Sequence, residues 1–187
     1  MEILTPVEIQ HKIVNSREVS AREYAPFYSQ YIKALGEVDL IEVLETSLKD
    51  LIAALEHLPE EKLMYSYAEG KWTIKELVQH IIDAERVLSY RALRFSRNDT
   101  TNLSGFDEDW YVANSNGNER NFKDMLQEFI HVRNSTILLF KSFKPEMLLI
   151  NGTASNSDMS VRALGFIIAG HQTHHLKIIK GIQKETW

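Results

Sequence analysis

The sequence predicts an all-α protein whose main body is an antiparallel four-helix bundle, and three observations predict this fold. Four segments of about 20 residues place apolar side chains three or four positions apart, as in helices with one buried face. No comparable series of alternating, β-branched segments predicts strands. The length of 187 residues suits a single domain. We therefore assign residues 1–38 to an N-terminal arm and residues 39–187 to the bundle.

The first two helices have clear signals at their ends. The first covers residues 39–58, with leucine and isoleucine along one face, and Pro59 ends it. The second begins after Gly70. Thr73 is predicted to be its N-cap, and Glu76, three residues later, completes a capping box.

The third and fourth helices follow the same spacing. The third covers residues 118–143, and Pro145 lies just beyond it. The fourth follows Ser160 and continues to about Gln183. Helices of this length with one apolar face are expected to pack as a bundle.

The connection over residues 98–117 is long and contains Phe106, Trp110 and Tyr111. Connections of this length usually serve a function or pack as a lid. The alternative is that these aromatic side chains plug one end of the bundle. The arm contains the aromatic stretch EYAPFYSQYI, and we expect it to wrap the bundle or to contact a second subunit.

The composition excludes several classes of function. The chain has no cysteine, which excludes thiolate metal ligands, iron–sulfur clusters and a cysteine nucleophile, and which is typical of a reducing compartment. A formal net charge of −5 disfavours nonspecific nucleic-acid binding. No apolar run approaches the ~18 residues of a membrane span, and the first residues lack the order of a signal peptide. We predict a soluble, cytoplasmic protein that binds neither nucleic acid nor membrane.

Two histidines occupy positions of the fourth helix where the spacing calls for apolar residues. His171 and His175 are four residues apart, so their side chains project from one face with Cβ atoms ~5–6 Å apart and can converge on one metal ion. The alternative is a pair of core imidazoles with hydrogen-bond partners, since an unpartnered one costs about 1–3 kcal/mol. His174 lies at the margin of the same face, which leaves His171 and His174 as another possible pair.

A third ligand is expected on another helix. His80 flanks the apolar stripe of the second helix and is the candidate; the alternative is a boundary histidine bonded to Glu76 or Asp83. The zincin motif H-E-x-x-H is not met, because Gln172 stands where that motif has its general base. The remaining histidines are placed less favourably, near the arm, at a helix end and off the main stripe of the third helix: His11, His57 and His131.

Three other polar side chains, Glu85, Arg133 and Arg91, are candidates for the chemistry of this site. Glu85 lies on the buried side of the second helix, and Arg133, among core-facing positions of the third, is its expected partner. The pair either serves the site or is an ion pair between helices. Arg91 and Arg94 either attract a substrate carboxylate or lie on a solvated face. Trp72 is predicted to pack at the end of the bundle.

Three stretches carry a family resemblance: KWTIKELVQHIIDAERVLSYRALRF, a long connection with GFDEDWYV, and SVRALGFIIAGHQTHHLKII. Together they resemble the DinB-like superfamily, which includes bacillithiol S-transferases of the YfiT type and metal-dependent hydrolases. The resemblance spans residues 39–183. It implies a four-helix bundle, often a homodimer, that binds a divalent ion, zinc or nickel, through three histidines. Carried over to this chain, the ligands are His80, His171 and His175.

The resemblance implies a thiol S-transferase or hydrolase whose partners are a small-molecule thiol and an electrophile. Three neutral histidines leave a metal ion its full charge and an open coordination position, as in catalytic sites. The alternative function is a non-catalytic, metal-binding bundle that acts in a stress response. An open position favours the enzyme, whereas a fourth ligand from the protein favours the alternative.

Overall fold

A computed structural model describes residues 14–66 and 68–185 of the chain. The predictions that fall on residues 1–13, including His11, lie outside the described residues. Within the described range the chain forms seven α-helices and one two-stranded antiparallel sheet. The elements are α1 (Ser29–Lys33), α2 (Leu40–Leu55), α3 (Ile74–Ser96), α4 (Glu108–Ala113), α5 (Phe122–Lys141), α6 (Pro145–Leu148), β1 (Asn151–Ala154), β2 (Ser157–Ser160) and α7 (Val161–Glu185).

The four long helices α2, α3, α5 and α7 form the predicted bundle, and their ends lie close to the predicted ones. The capping box of α3 is confirmed. The Thr73 N–H donates to Glu76 Oε2 at 2.8 Å, and the Glu76 N–H donates to Thr73 Oγ1 at 3.1 Å. No helix in the described part of the chain is long and apolar enough to cross a membrane.

Helices α3 and α5 are neighbours that run in the same direction. At the start of α3, Gln79 accepts a hydrogen bond from Arg120, which lies just before α5. Two turns later along both helices, Arg86 pairs with Glu128. The contacts therefore follow the same order along both helices, which shows that α3 and α5 are parallel.

Helix α7 runs parallel to α2, and both run against α3 and α5. Leu40 contacts α7 at Gly165, and seven residues further along α2 the Ser47 carbonyl contacts Gln172. Across the bundle, Lys141 at the end of α5 pairs with Glu45 near the start of α2. Two helices thus run in each direction, and each has one parallel and one antiparallel neighbour.

This arrangement explains the long connection between α3 and α5. Since the two helices are parallel, residues 97–121 must return along the bundle over about 30 Å, at 1.5 Å per helical residue. We call residues 97–121 the crossover. The crossover pairs with the sheet at Leu103 and reaches the start of α3 at Asn118, whose Oδ1 accepts from Thr73 Oγ1 at 2.7 Å. The end-plug interpretation is wrong for Trp110 and Tyr111, whose side chains are exposed.

The sheet was not predicted, because its strands have four residues each and lack an apolar alternation. Ser155 and Asn156 connect the strands with φ values of 53° and 58°. Two consecutive residues in the left-handed region are typical of a type I′ hairpin turn. The hairpin closes the end of the bundle, where Phe95 packs on Gly152.

The described part of the arm, residues 14–38, lies against the bundle. The Ser160 N–H donates to the Glu23 carbonyl at 2.9 Å, and Arg162 makes two hydrogen bonds of 2.7 Å to the Glu23 carboxylate. Helix α1 packs on α7 beside Tyr31. These residues of the arm therefore contact the bundle, as the first of the two expectations for the arm requires.

The close contact of α1 with α7 depends on Gly170. A Cβ at this position would lie 2.4 Å from the Tyr31 carbonyl oxygen, a backbone atom that moves only with α1. We expect Gly170→Ala to lower the free energy of unfolding in urea by about 1–3 kcal/mol. The control is Gly181→Ala in the same helix, where a Cβ would meet nothing within 4 Å and is expected to stabilise by up to about 1 kcal/mol. Equal stability of the two variants would contradict the close contact.

Candidate metal centre

His80, His171 and His175 converge in the interior of the bundle. His80 Nε2 lies 2.9 Å from His171 Nε2, and His175 Nε2 lies 3.1 Å from the same atom. All three side chains are buried, and one ligand atom from each lies within 4.8 Å of the others. The histidines come together because α3 and α7 run in opposite directions, which places the start of α3 beside the second half of α7. The three could hold one metal ion.

Two of the three separations between these nitrogen atoms match those of ligands that share one ion. Imidazole nitrogens bind zinc at about 2.0–2.1 Å, so two ligands at octahedral or tetrahedral angles lie about 2.8–3.4 Å apart. The separations of His171 Nε2 from His80 Nε2 and from His175 Nε2, 2.9 and 3.1 Å, fall in this range. His80 is buried and its Nε2 contacts His171, whereas Glu76 bonds to Thr73 and Asn118 and Asp83 bonds to Gln79, so the structure does not show the boundary histidine of the alternative.

Burial keeps the three imidazoles in the neutral form that metal ions require. Desolvation lowers the pKa of His80 to about 4. Desolvation, with the charges of His80 and His174 adding to it, lowers the pKa of His175 to about 3. Desolvation also lowers the pKa of His171 well below its usual value. At neutral pH each residue therefore presents a lone pair without first losing a proton.

Aromatic side chains flank the three histidines on two sides. The Trp72 ring lies 4.7 Å from the His80 ring, measured between centroids, and Tyr31 meets His171 edge to face at 5.5 Å. Burial raises the pKa of Tyr31 to about 12, and the charge of Glu108 adds to this effect. The sequence predicts that Trp72 packs at the end of the bundle, and in the structure its ring also contacts a histidine of the site. Tyr31 was missed, because it comes from the arm and no periodicity links the arm to α7.

His174 does not join the group that could hold an ion. Its half-buried ring packs edge to face against Tyr31 at 5.4 Å and against His175 at 5.1 Å. The possible pair of His171 with His174 is therefore not the one that the structure brings together. His57 and His131 are exposed and lie outside the group.

Glu85 and Arg133 form the expected ion pair. Arg133 Nε donates to Glu85 Oε1 at 2.8 Å, and Nη2 donates to Oε2 at 2.9 Å. Arg133 is fully buried and Glu85 is 2 % exposed. Both carboxylate oxygens accept from the guanidinium, so the pair links α3 to α5 rather than offering a free base to the site.

A polar layer of four side chains, Glu85, Arg133, Ser47 and Gln172, joins all four bundle helices. Arg133 Nη1 donates to Ser47 Oγ at 2.7 Å and to the Leu44 carbonyl at 3.0 Å. The Ser47 carbonyl in turn accepts from Gln172 Nε2 at 2.5 Å. The layer lies between two apolar clusters of the core and ends beside His171. The sequence indicated only its first pair.

Arg91 is buried, which corrects the solvated-face interpretation for this residue. Its Nη2 donates to the Ser104 carbonyl and to Ser155 Oγ, both at 3.1 Å, and its guanidinium lies 6.0 Å from the centre of the Phe106 ring. Arg91 thus ties the crossover and the hairpin to α3. It lies about three helical turns from His80 and does not contact the histidines. Arg94 bonds to Asp99 and Tyr90 at the far end of α3.

Known proteins resemble this chain both in sequence and in fold. The sequence profile of the DinB superfamily matches residues 44–179. A protein of Geobacillus thermodenitrificans (strain NG80-2) named "Putative metal-dependent hydrolase" is 25 % identical over 150 residues, which cover 73 % of this chain and 84 % of that protein. The structure of YfiT from Bacillus subtilis, described as a probable metal-dependent hydrolase with an unusual four-helix bundle topology, superposes with a TM-score of 0.72. That likeness covers 78 % of this chain and 85 % of YfiT at 17 % identity, and it shows the fold. Since the profile covers most of the chain and the resemblance from the motifs agrees with it, the chain belongs to the DinB superfamily.

Proposed function

We propose that this chain is a metal-dependent enzyme, a thiol S-transferase or hydrolase that acts on a small electrophile. The observation that carries the proposal is the convergence of three neutral Nε2 atoms at His80, His171 and His175. The names of the Geobacillus thermodenitrificans protein and of YfiT, both linked to metal-dependent hydrolysis, support metal dependence here. Zinc and nickel are the proposed ions, since both bind imidazole well.

The set of ligands supports a catalytic site over a structural one. No carboxylate and no fourth histidine of the described residues belongs to the group. Three neutral ligands leave a divalent ion its whole charge and at least one position for another molecule. An ion held there would act as a Lewis acid that lowers the pKa of a bound water or thiol.

The remaining chemistry follows from what the chain provides. It has no cysteine, so a thiol nucleophile must come from outside, and hydrolysis would use water. The Glu85 carboxylate is occupied by Arg133 and does not serve as a general base. Trp72 and Tyr31 flank the histidines, limit access of bulk water and offer aromatic surfaces to an apolar part of the substrate.

The test is a rate measurement on protein stripped with a chelator and reloaded with zinc or nickel. We expect the loaded protein to accelerate either conjugation of a small thiol with a chloro-dinitrobenzene or hydrolysis within a panel of activated esters and amides. The acceleration should disappear on chelation and return with the ion. His174→Ala, outside the group, should retain it. Stoichiometric metal with only background rates in both assays would support the non-catalytic alternative instead.

A further inference from the structure

Two buried polar atoms in the described residues have no hydrogen-bond partner: Gln172 Oε1 and His175 Nδ1. They belong to side chains three residues apart on α7, which lie on adjacent parts of the helix surface. Gln172 is fully buried and His175 is 7 % exposed. Buried polar groups are almost always paired, so two of them within one helical turn require an explanation.

The orientation of the Gln172 amide is fixed by its neighbour. Its Nε2 donates to the Ser47 carbonyl oxygen at 2.5 Å. Exchanging the amide nitrogen and oxygen would place two acceptors against each other, so the free end of the amide is the oxygen. Gln172 therefore offers an acceptor beside the histidines.

His175 offers the matching donor once its other nitrogen binds an ion. Its Nε2 points at His171 Nε2, 3.1 Å away, within the group that could hold the metal. A nitrogen that binds a metal uses its lone pair, so the ring proton must be on Nδ1. This step rests on the proposed function.

We propose that Gln172 is a positioning residue whose Oε1 accepts the Nδ1–H of His175 when the site is loaded, which holds that ring in the tautomer and orientation that bind the ion. The bond requires a rotation of one of the two side chains, because the atoms are not paired in the structure. Ligand histidines commonly donate their second N–H to such an acceptor.

The polar layer supplies the rigid support for this acceptor. Gln172 is held by Ser47, Ser47 by Arg133, and Arg133 by Glu85. These contacts cross from α7 to α2, α5 and α3, so the layer connects the packing of the whole bundle to one ligand. A glutamine suits the position because it donates to Ser47 and accepts from His175 at once.

The experiment uses the full-length protein loaded with zinc, in wild-type form and as Gln172→Met, which keeps the length of the side chain and removes both polar atoms. Zinc affinity is measured by competition with a chelating dye, and ¹H–¹⁵N spectra of the imidazoles report the tautomer of His175. We expect the variant to bind zinc about 10- to 100-fold more weakly. In the wild type the Nδ1 proton should be hydrogen-bonded and slow to exchange; in the variant it should exchange quickly.

The control is Thr136→Val, which removes a buried hydroxyl of α5 that bonds only to its own helix, and it should leave zinc affinity within about twofold. Zinc binding by Gln172→Met equal to wild type, or an unchanged exchange rate, would overturn the role of Gln172 alone. A wild-type protein that binds no zinc would overturn the proposed function as well. If the variant does not fold, the wild-type spectrum decides: a nuclear Overhauser contact from the Nδ1 proton to Gln172 supports the proposal, and a proton on Nε2 refutes it.

Discussion

Replacing Arg133 with methionine is expected to lower the free energy of unfolding by about 3–5 kcal/mol, because the Glu85 carboxylate would stay buried without its partner. Arg133 also donates to Ser47 Oγ and to the Leu44 carbonyl, and both hydrogen bonds are lost in the same variant. Denaturation in urea, followed by circular dichroism, measures the change.

Two further variants separate the cost of an unpaired charge from the cost of lost packing. The double variant Glu85→Leu, Arg133→Met removes both charges and should recover most of the stability, as apolar replacements of buried ion pairs often do. The pair of Lys141 with Glu45 is 43 % and 42 % exposed, and Lys141→Met should cost less than about 1 kcal/mol. An Arg133→Met protein within about 1 kcal/mol of wild type would show that the pair does not hold α3 to α5.

Replacing His171 with alanine is expected to abolish stoichiometric binding of a divalent ion while the helical content is retained. His171 Nε2 is the atom that both other Nε2 atoms contact, so its loss removes the central ligand and leaves two histidines. Elemental analysis after dialysis measures the metal, and far-ultraviolet circular dichroism measures the helicity. Activity in the assays above should fall to background in the same variant.

His174→Ala is the matched control, since it removes a neighbouring imidazole of α7 that lies outside the group. It should retain one ion per chain. Full metal occupancy in His171→Ala, or equal loss in the two variants, would contradict the assignment of the ligands.

Much of the bundle could be predicted from the sequence because its signals are local. Apolar spacing located the four long helices, and the box of Thr73 and Glu76 located the start of α3. The hairpin over residues 151–160 escaped, since a type I′ turn made of Ser155 and Asn156 lacks the glycine that usually indicates it. The parallel order of α3 and α5 is set by packing between distant segments, which periodicity does not report.

The sequence revealed those site residues that are polar at positions where the helix pattern calls for an apolar side chain. His171 and His175 were found because imidazoles interrupt an apolar face, and Glu85 because a carboxylate does. His80 lies at the edge of its stripe, and only the family resemblance selected it over the alternatives. Arg91 was misjudged because its burial comes from the crossover and the hairpin, which cover α3 from outside the bundle.

The crossover between α3 and α5 is longer than the route demands. About ten residues in extended form would cover 30 Å, at 3.3 Å each, whereas residues 97–121 are available. The additional residues include α4, and the charge of Glu108 in α4 raises the pKa of Tyr31, which lies beside His171. Mutation and insertion can therefore act on this spare length while the bundle keeps its register. The four long helices must keep their packing, whereas the crossover is free to change. We therefore expect related proteins to differ at α4 in the molecules that they bind.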